Sequence, residues 1–314
     1  MSEERQVPDA SFGSYYGRPI LKVTRWKEPH LPAYLFLGEL SGGAAVLGAA
    51  AAATGRPALA RAGRLVAAAA AYAGAGFLTA ELGRPERFLN MLRVAKPTSP
   101  MSMGSWTLAA HSGLVTAAAA SSLTGVLPGL GTAAGAASAV TGPVLAAYPG
   151  VLLANTAVPA WHSAYRELPL LFTGGAMTAA AAAGLLAAAW PGSGADPGPA
   201  ARLALLGALT EGVAELSLER RLGEAGEPYH EGSAGRLLRA ARVMTVTGAG
   251  CALAARRSRG AGVLGAVLLA GGGLAAKFAV LRAGVASAKD PRYVVAQQRP
   301  AARQPAQSQA SGRP

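Results

Sequence analysis

Apolar positions along this chain gather into eight long stretches, and most charged positions collect between them. The stretches run at roughly 31–54, 61–83, 105–127, 131–157, 168–190, 199–219, 236–255 and 260–282. A helix needs about 20 mostly apolar residues to cross a bilayer. The pattern therefore predicts an all-α integral membrane protein of eight transmembrane helices, arranged as two four-helix bundles. It divides the chain into an N-terminal tail (1–30), a transmembrane domain (31–285) and a C-terminal tail (286–314). The last stretch, from about 296, is rich in Gln, Ala, Arg and Pro and reads as disordered. Residues 1–30 are polar, with no apolar core of the kind a cleavable signal needs.

The basic residues are distributed unevenly about these stretches. Twenty-one Lys and Arg flank the side of the N-terminal tail, called side one, and seven flank side two. The positive-inside bias places both tails in the cytoplasm of a cell-membrane protein. Side one also has the long loops, at 84–104 and 220–235, and long ordered loops commonly carry function. A docking surface is therefore expected there. The formal charge of +13 suits anionic lipid headgroups or an acidic partner, and no nucleic acid is needed to explain it.

Composition narrows the picture. The chain is 51% hydrophobic and 14% charged, and Ala and Gly dominate. Small residues allow close helix contact inside a membrane, the role expected of Gly42–Gly43, Gly74-x-Gly76 and Gly271–Gly273. The single cysteine, Cys251, forms no internal disulfide. Alone it does not supply the thiolates an iron–sulphur cluster needs.

Ionisable side chains inside a membrane are costly and point to function. Glu39, Glu81, His111, Glu215 and Lys277 all fall toward the side-one ends of their stretches. That asymmetry predicts a polar site opening to one face, not a path through the membrane. Glu81 and Arg84 stand i, i+3 and can pair; such a carboxylate can also pass a proton between water and a buried ligand. Glu211 and Glu215 share a helix face, and Lys277, at a similar depth to Glu215, is the expected counter-charge. Tyr148 places a phenol inside the membrane, where a quinone carbonyl would be a suitable hydrogen-bond partner; Pro149-Gly150 are expected to loosen the helix after it. Trp161 and His162 read as interfacial anchors. His30, His111, His162 and His230 lack the matched depths a bis-histidine haem requires, so no haem is expected. Glu81-Leu-Gly-Arg-Pro and Glu215-Leu-Ser-Leu-Glu-Arg-Arg echo one another, either as an internal repeat or by chance.

The longer motifs carry a resemblance. They are Tyr15-Tyr-Gly-Arg-Pro-Ile-Leu-Lys22, Trp26…Pro32-Ala-Tyr-Leu-Phe-Leu-Gly…Ser-Gly-Gly43, Leu82-Gly-Arg-Pro-Glu-Arg-Phe-Leu-Asn90 and Lys96-Pro-Thr-Ser-Pro-Met-Ser-Met-Gly-Ser-Trp106. Further on come Tyr148-Pro-Gly-Val-Leu-Leu-Ala-Asn-Thr-Ala-Val-Pro-Ala-Trp-His162 and Ser287-Ala-Lys-Asp-Pro-Arg-Tyr293. Together they resemble the NrfD/polysulphide reductase membrane-subunit family. The resemblance implies a haem-free helical subunit of an oxidoreductase complex that binds menaquinone or another quinone. It implies a docked ferredoxin-like 4Fe-4S subunit, which serves a molybdopterin catalytic subunit, so that iron–sulphur and molybdopterin groups sit on partners only. By position it assigns the pocket acid to Glu81 and the pocket tyrosine to Tyr148. It assigns the residue ahead of the first span to His30 and the later acids to Glu211 or Glu215. Glu39 departs from the small residue expected there and is either a pocket acid or a partner of Lys277. Two rival readings remain from the residues: a proton- or ion-translocating subunit, which should carry polar residues in both leaflets, and a purely structural anchor.

Overall fold

A computed structural model describes residues 21, 26–82, 84 and 86–298. Gly83 and Pro85, the motif at 15–22 apart from Leu21, and the tail beyond 298 lie outside the described residues. Every regular element among the described residues is helical: α1 (His30–Ala53), α2 (Pro57–Glu81), α3 (Arg87–Asn90), α4 (Pro100–Thr124), α5 (Pro128–Ala154), α6 (Pro159–Ser163), α7 (Glu167–Ala189), α8 (Gly198–Leu222), α9 (Glu227–His230), α10 (Gly232–Ala254), α11 (Arg259–Lys289) and α12 (Pro291–Gln298). A single 3-10 turn occupies Gly223–Gly226. Five helices, α1, α5, α7, α10 and α11, are long and apolar enough to cross a membrane. The other three long helices, α2, α4 and α8, have 25 residues each but are less apolar over a membrane-spanning length.

Local chemistry sets the helix ends. Pro57, Pro100 and Pro128 open α2, α4 and α5, where a missing N–H breaks no helical bond. Ser99 and Ser258 accept from the amides of Ser102 (3.4 Å) and Ala261 (3.2 Å) as N-caps. Gly125 ends α4 with φ +73°, a left-handed conformation that only glycine adopts without strain. Pro143 and Pro149 lie within α5. The expected loosening after Tyr148 does not occur, because the helix runs on to Ala154 with Gly150 closely packed on Leu168 and Pro169 of α7.

Successive long helices return to opposite ends of the molecule. One end gathers Lys27, Glu81, Ser163, Arg221, Glu227, Arg282 and Tyr293, joined by hydrogen bonds and ion pairs. The other gathers Arg56, Asp196 and Arg256. Helix α11 extends seven residues beyond the apolar stretch predicted to end at 282. Its last turns are covered by protein: the Trp161 indole N–H donates to the Val280 carbonyl (2.8 Å), and the Ala160 amide donates to Ser287 Oγ (3.2 Å). Trp161 is consequently no interfacial anchor. It is fully buried, sits over Gly284 and stacks on Trp26 with ring centroids 5.3 Å apart.

Helix α1 occupies the middle of the assembly, against α2, α5, α7 and α11. Backbones touch where it crosses its neighbours. A Cβ at Gly42 would strike the carbonyl of Gly142 on α5, a Cβ at Gly142 would strike the carbonyl of Gly42, and one at Gly43 would strike the carbonyl of Ala176 on α7. A Cβ at Gly63 on α2 would lie 2.6 Å from the Gly48 Cα. Gly272 fits the packing role too, 2.8 Å from Thr245 Oγ1 by the same measure, but Gly76 faces open space and Gly74 makes only ordinary contact. The Gly74-x-Gly76 pair is therefore not a helix-contact motif.

Between α1 and α11 lies an ion pair sealed from solvent. Lys277 Nζ is 2.5 Å from Glu39 Oε1, with side-chain exposures of 1% and 0%. The same ammonium stands 4.1 Å from the centroid of the Phe172 ring of α7, a cation–π geometry.

Two consequences are testable by thermal unfolding in detergent. Gly42→Ala should lower stability by about 1–3 kcal/mol, the usual cost of overpacking; an unchanged midpoint would show that the crossing yields freely. Lys277→Met should cost about 3–5 kcal/mol by stranding a buried carboxylate, and Glu39→Gln with Lys277→Met should cost less than Lys277→Met alone. Equal losses in the single and double variants would deny the pair its role.

Candidate functional site

Two polar groups form among the helices. The first lies at the end of the molecule where α1 begins and α2 finishes. Glu81 is the last residue of α2, and its side chain is 10% exposed. One carboxylate oxygen accepts the backbone N–H of Lys27 (2.9 Å). The other is buried, has no hydrogen-bond partner and stands 3.6 Å from His30 Nδ1, itself buried and unpartnered. The Phe77 ring, one helical turn before Glu81, lies 6.3 Å from the His30 ring. One turn further along α1, the Tyr34 hydroxyl is hydrogen-bonded to the Tyr148 hydroxyl of α5. The Tyr148 ring lies directly over Gly104 of α4, where any side chain would collide with it.

An acid, an imidazole and two phenols thus line up over the first turns of α1, held by four helices. Each can donate or accept a proton, and two buried polar atoms are left without partners. Unpaired buried polar atoms are costly and rare in native proteins; the others among the described residues are both Glu39 carboxylate oxygens and Arg64 Nε.

The second group is deeper. Glu39 and Lys277 pair there, and Glu211 of α8 accepts from Thr178 Oγ1 of α7 (2.8 Å) and Thr245 Oγ1 of α10 (3.2 Å). Two adjacent glycines of α7 make the space: a Cβ at Gly175 would lie 2.7 Å from Glu39 Oε2, and one at Gly174 would lie 2.7 Å from Glu211 Cγ. Glu215, one turn nearer the helix end, pairs with Arg242 of α10, which also holds Glu219 (2.7 Å). In the first half, His111 is fully buried, with Nε2 3.0 Å from Ser41 Oγ and Nδ1 2.8 Å from Thr141 Oγ1.

Several sequence expectations need correction. Arg84 is exposed and does not pair with Glu81, because the helix stops at Glu81 and the carboxylate turns toward the chain entering α1. Lys277 is not the counter-charge of Glu215, which has Arg242 instead. Glu39, His111, Glu211 and Lys277 lie well inside their helices, and only Glu81 and Glu215 stand near helix ends. Glu81 and Glu215 also differ in position: one terminates α2, the other lies seven residues before the end of α8. The sequence echo therefore does not place equivalent acids. Tyr34, Thr178, Thr245 and Arg242 went unremarked, although Tyr34 stands inside the Pro32–Gly38 motif and Gly104 inside the Lys96–Trp106 motif.

The same end of the molecule is closed by ion pairs at its surface. Glu28 accepts from Arg282 of α11 at 2.8 and 2.7 Å, and that hydrogen bonding holds its carboxyl below the ordinary range. Arg221 of α8 binds both oxygens of Glu167 (2.6 and 2.5 Å) and the Ser163 carbonyl. Tyr293 donates to Glu227 (3.0 Å), and burial raises its phenol to about 12. These bonds tie the approach to α1, the α8–α10 connection and the segment after α11 into one surface.

A family model described as polysulphide reductase, NrfD, matches residues 23–209. Comparison with curated proteins returns no match. The family match runs from the approach to α1 into α8 and takes in His30, Tyr34, Glu39, Glu81 and Tyr148. Covering more than half of a chain whose regular elements among the described residues are all helical, with several helices able to span a bilayer, the match identifies this multi-pass membrane protein as belonging to the NrfD (polysulphide reductase) family of oxidoreductase membrane subunits.

Proposed function

We propose that this chain is the quinone-binding membrane subunit of an oxidoreductase complex, with all eight long helices crossing the membrane. The observation that carries the reading is the pair of buried, unpartnered atoms, Glu81 Oε2 and His30 Nδ1, beside the Tyr34–Tyr148 phenol pair. A quinone carbonyl needs a hydrogen-bond donor, and its reduction or the reverse reaction needs groups that move protons. Imidazole, phenol and carboxyl supply both. When bound, menaquinone or a related quinone would supply the two-electron chemistry.

In this reading His30 and Tyr148 donate to the ligand and orient it. Glu81 exchanges protons with water at the helix end, and Tyr34 holds the Tyr148 hydroxyl in place. Phe77 covers the site and limits water. An apolar cavity of about 130 Å³, lined by Gly42, Gly43, Pro143, Ala146 and Met177 among others, begins two residues deeper on α5 than Tyr148 and suits part of an apolar tail.

In this reading the helices make two groups of four, α1, α2, α4 and α5 against α7, α8, α10 and α11; in its support, the closest helix pairs lie within these groups, while α1, α5, α7 and α11 also meet across them. The face bearing Glu81 carries the larger share of basic residues and is taken as the cytoplasmic and docking face. There a ferredoxin-like 4Fe-4S subunit would dock and link the site to a molybdopterin catalytic subunit. A transporter reading would use Glu39, Glu211 and Lys277. Lys277 is ion-paired with Glu39 and Glu211 takes two hydroxyls, which favours a structural role for them, although both Glu39 oxygens, like Glu81 Oε2, lack a hydrogen-bond partner.

Tyr148→Phe and Glu81→Gln should each lower quinone-linked turnover of the assembled complex, by about 10²–10⁴-fold if each removes a general acid–base group. Subunit composition should stay intact. Normal quinone kinetics in both variants would reduce this group to packing and leave a passive anchor. Reporter fusions after residue 95 and after residue 195 should report opposite faces, with residue 95 in the cytoplasm; a periplasmic signal at 95 would invert the orientation.

A further inference from the structure

At the end of the molecule opposite Glu81, the turn between α1 and α2 opens into a cavity of about 310 Å³. That volume is at the lower end of small-molecule pockets, roughly 300–1,000 Å³. Arg56, Arg61, Arg64 and Ser122 line it. Arg56 immediately precedes Pro57, the first residue of α2, and Arg61 and Arg64 stand in the first two turns; no acidic residue occupies the first turn.

Three arginines line one cavity at the N-terminal end of α2, and Arg56, immediately before the first turn, stands at the positive end of the helix dipole. What such an end favours is an anion. The protein offers little of one. Asp196 lies 4.0 Å from Arg56 Nε but also 3.3 Å from Arg256. Neither Arg61 nor Arg64 has an ion pair among the described residues. Arg64 donates through Nη1 to Ser122 Oγ (3.2 Å), while its Nε is buried and has no hydrogen-bond partner.

The surrounding helices are shaped to admit this guanidinium. Opposite it on α5 stands Gly135, where a Cβ would lie 3.2 Å from Arg64 Nε. A larger residue there would press on the guanidinium. Arg64 is held between α2, α4 and α5 with Nη1 bonded to Ser122 and its buried Nε unused, and Arg56 and Arg61 stand on the same cavity wall.

We propose that this cavity is a binding site for a phosphate-bearing anion, with Arg64 and Ser122 on its inner wall and Arg56 and Arg61 at its mouth. Guanidinium forks match phosphate oxygens in geometry as well as charge. The cavity lies at a helix turn, the level at which headgroups meet a spanning helix, so an anionic phospholipid is the expected source of the phosphate. Free phosphate has the same chemistry. The site is independent of the quinone reading and lies at the other end of the helices.

The test uses the full chain in non-ionic detergent, titrated separately with dioleoylphosphatidylglycerol, dioleoylphosphatidylcholine and inorganic phosphate, with the thermal unfolding midpoint as readout. Phosphatidylglycerol should raise the midpoint saturably and phosphatidylcholine should not. Arg64→Gln should weaken half-saturation about fivefold, and Arg61→Gln with Arg64→Gln about 25-fold. Arg257→Gln, on the same face but outside the cavity, should change nothing. Saturable protection by inorganic phosphate, lost in the same variants, would assign the site to the free anion and equally support it. Equal response to both lipids with no phosphate effect would overturn the proposal, as would wild-type titration of the double variant or an equal loss in Arg257→Gln. Should the double variant fail to fold, Arg61→Gln alone, at an exposed position, decides between the same outcomes. No quinone turnover enters the readout, so this result and the test of the quinone site stand apart.

Discussion

The buried pair of Glu39 and Lys277 constrains everything around it. Neither charge can remain alone in an apolar interior, so α1 and α11 are held in register wherever the protein is folded. Phe172 adds a third helix to the contact through its ring face. Next to the pair, Glu211 takes hydroxyls from α7 and α10. One polar knot therefore engages α1, α7, α8, α10 and α11. Such a knot adds specificity of arrangement more than net stability, because the desolvation it requires offsets much of the attraction.

Alpha-7 shows how the chain makes room for these charges. Its Gly174 and Gly175 stand side by side, yet each admits a different carboxylate from a different helix. A helix surface lacking side chains exposes its backbone, and carboxylates from neighbouring helices can then lie close to its axis. Gly104 does the same for Tyr148, and Gly135 for Arg64. In this protein, glycine prepares spaces for polar side chains as well as letting helices touch.

The long apolar stretches disclosed the eight long helices, their order and most of their ends within a few residues. The boundaries that were missed have a common cause. Helix α11 outlasts its apolar run because Trp161 and Ala160, and not lipid, cover its last turns. The helical start of α2 at Pro57 comes four residues before its predicted stretch because Pro57 opens the helix and Leu59 and Ala60 are buried in it. Glu81, Tyr148 and His30 were legible as candidates and lie at one end of the molecule. Their arrangement was not legible: Glu81 stands 3.6 Å from a histidine 51 residues earlier, and the partner of Tyr148 is another tyrosine on α1. Counter-charges were misassigned for the same reason. Depth along a helix can be counted from sequence, but the direction a side chain faces depends on how the helices are rotated against one another. Trp161 was misread because residue type alone suggests an interfacial ring, while its position between Gly284 and Trp26 is a matter of packing.

At the crossing of α1 and α5, Gly42 and Gly142 each press on the other's main chain. When a residue collides with a neighbouring side chain, a second substitution can shrink that neighbour and restore the fit. Main chain cannot be made smaller. No compensating change at position 142 therefore opens space for a side chain at position 42, and none at 42 opens space at 142. The two positions are closed to gradual sequence drift. A chain that replaced either glycine would have to move whole helices apart, and with them the ion pair and the tyrosine pair that α1 carries.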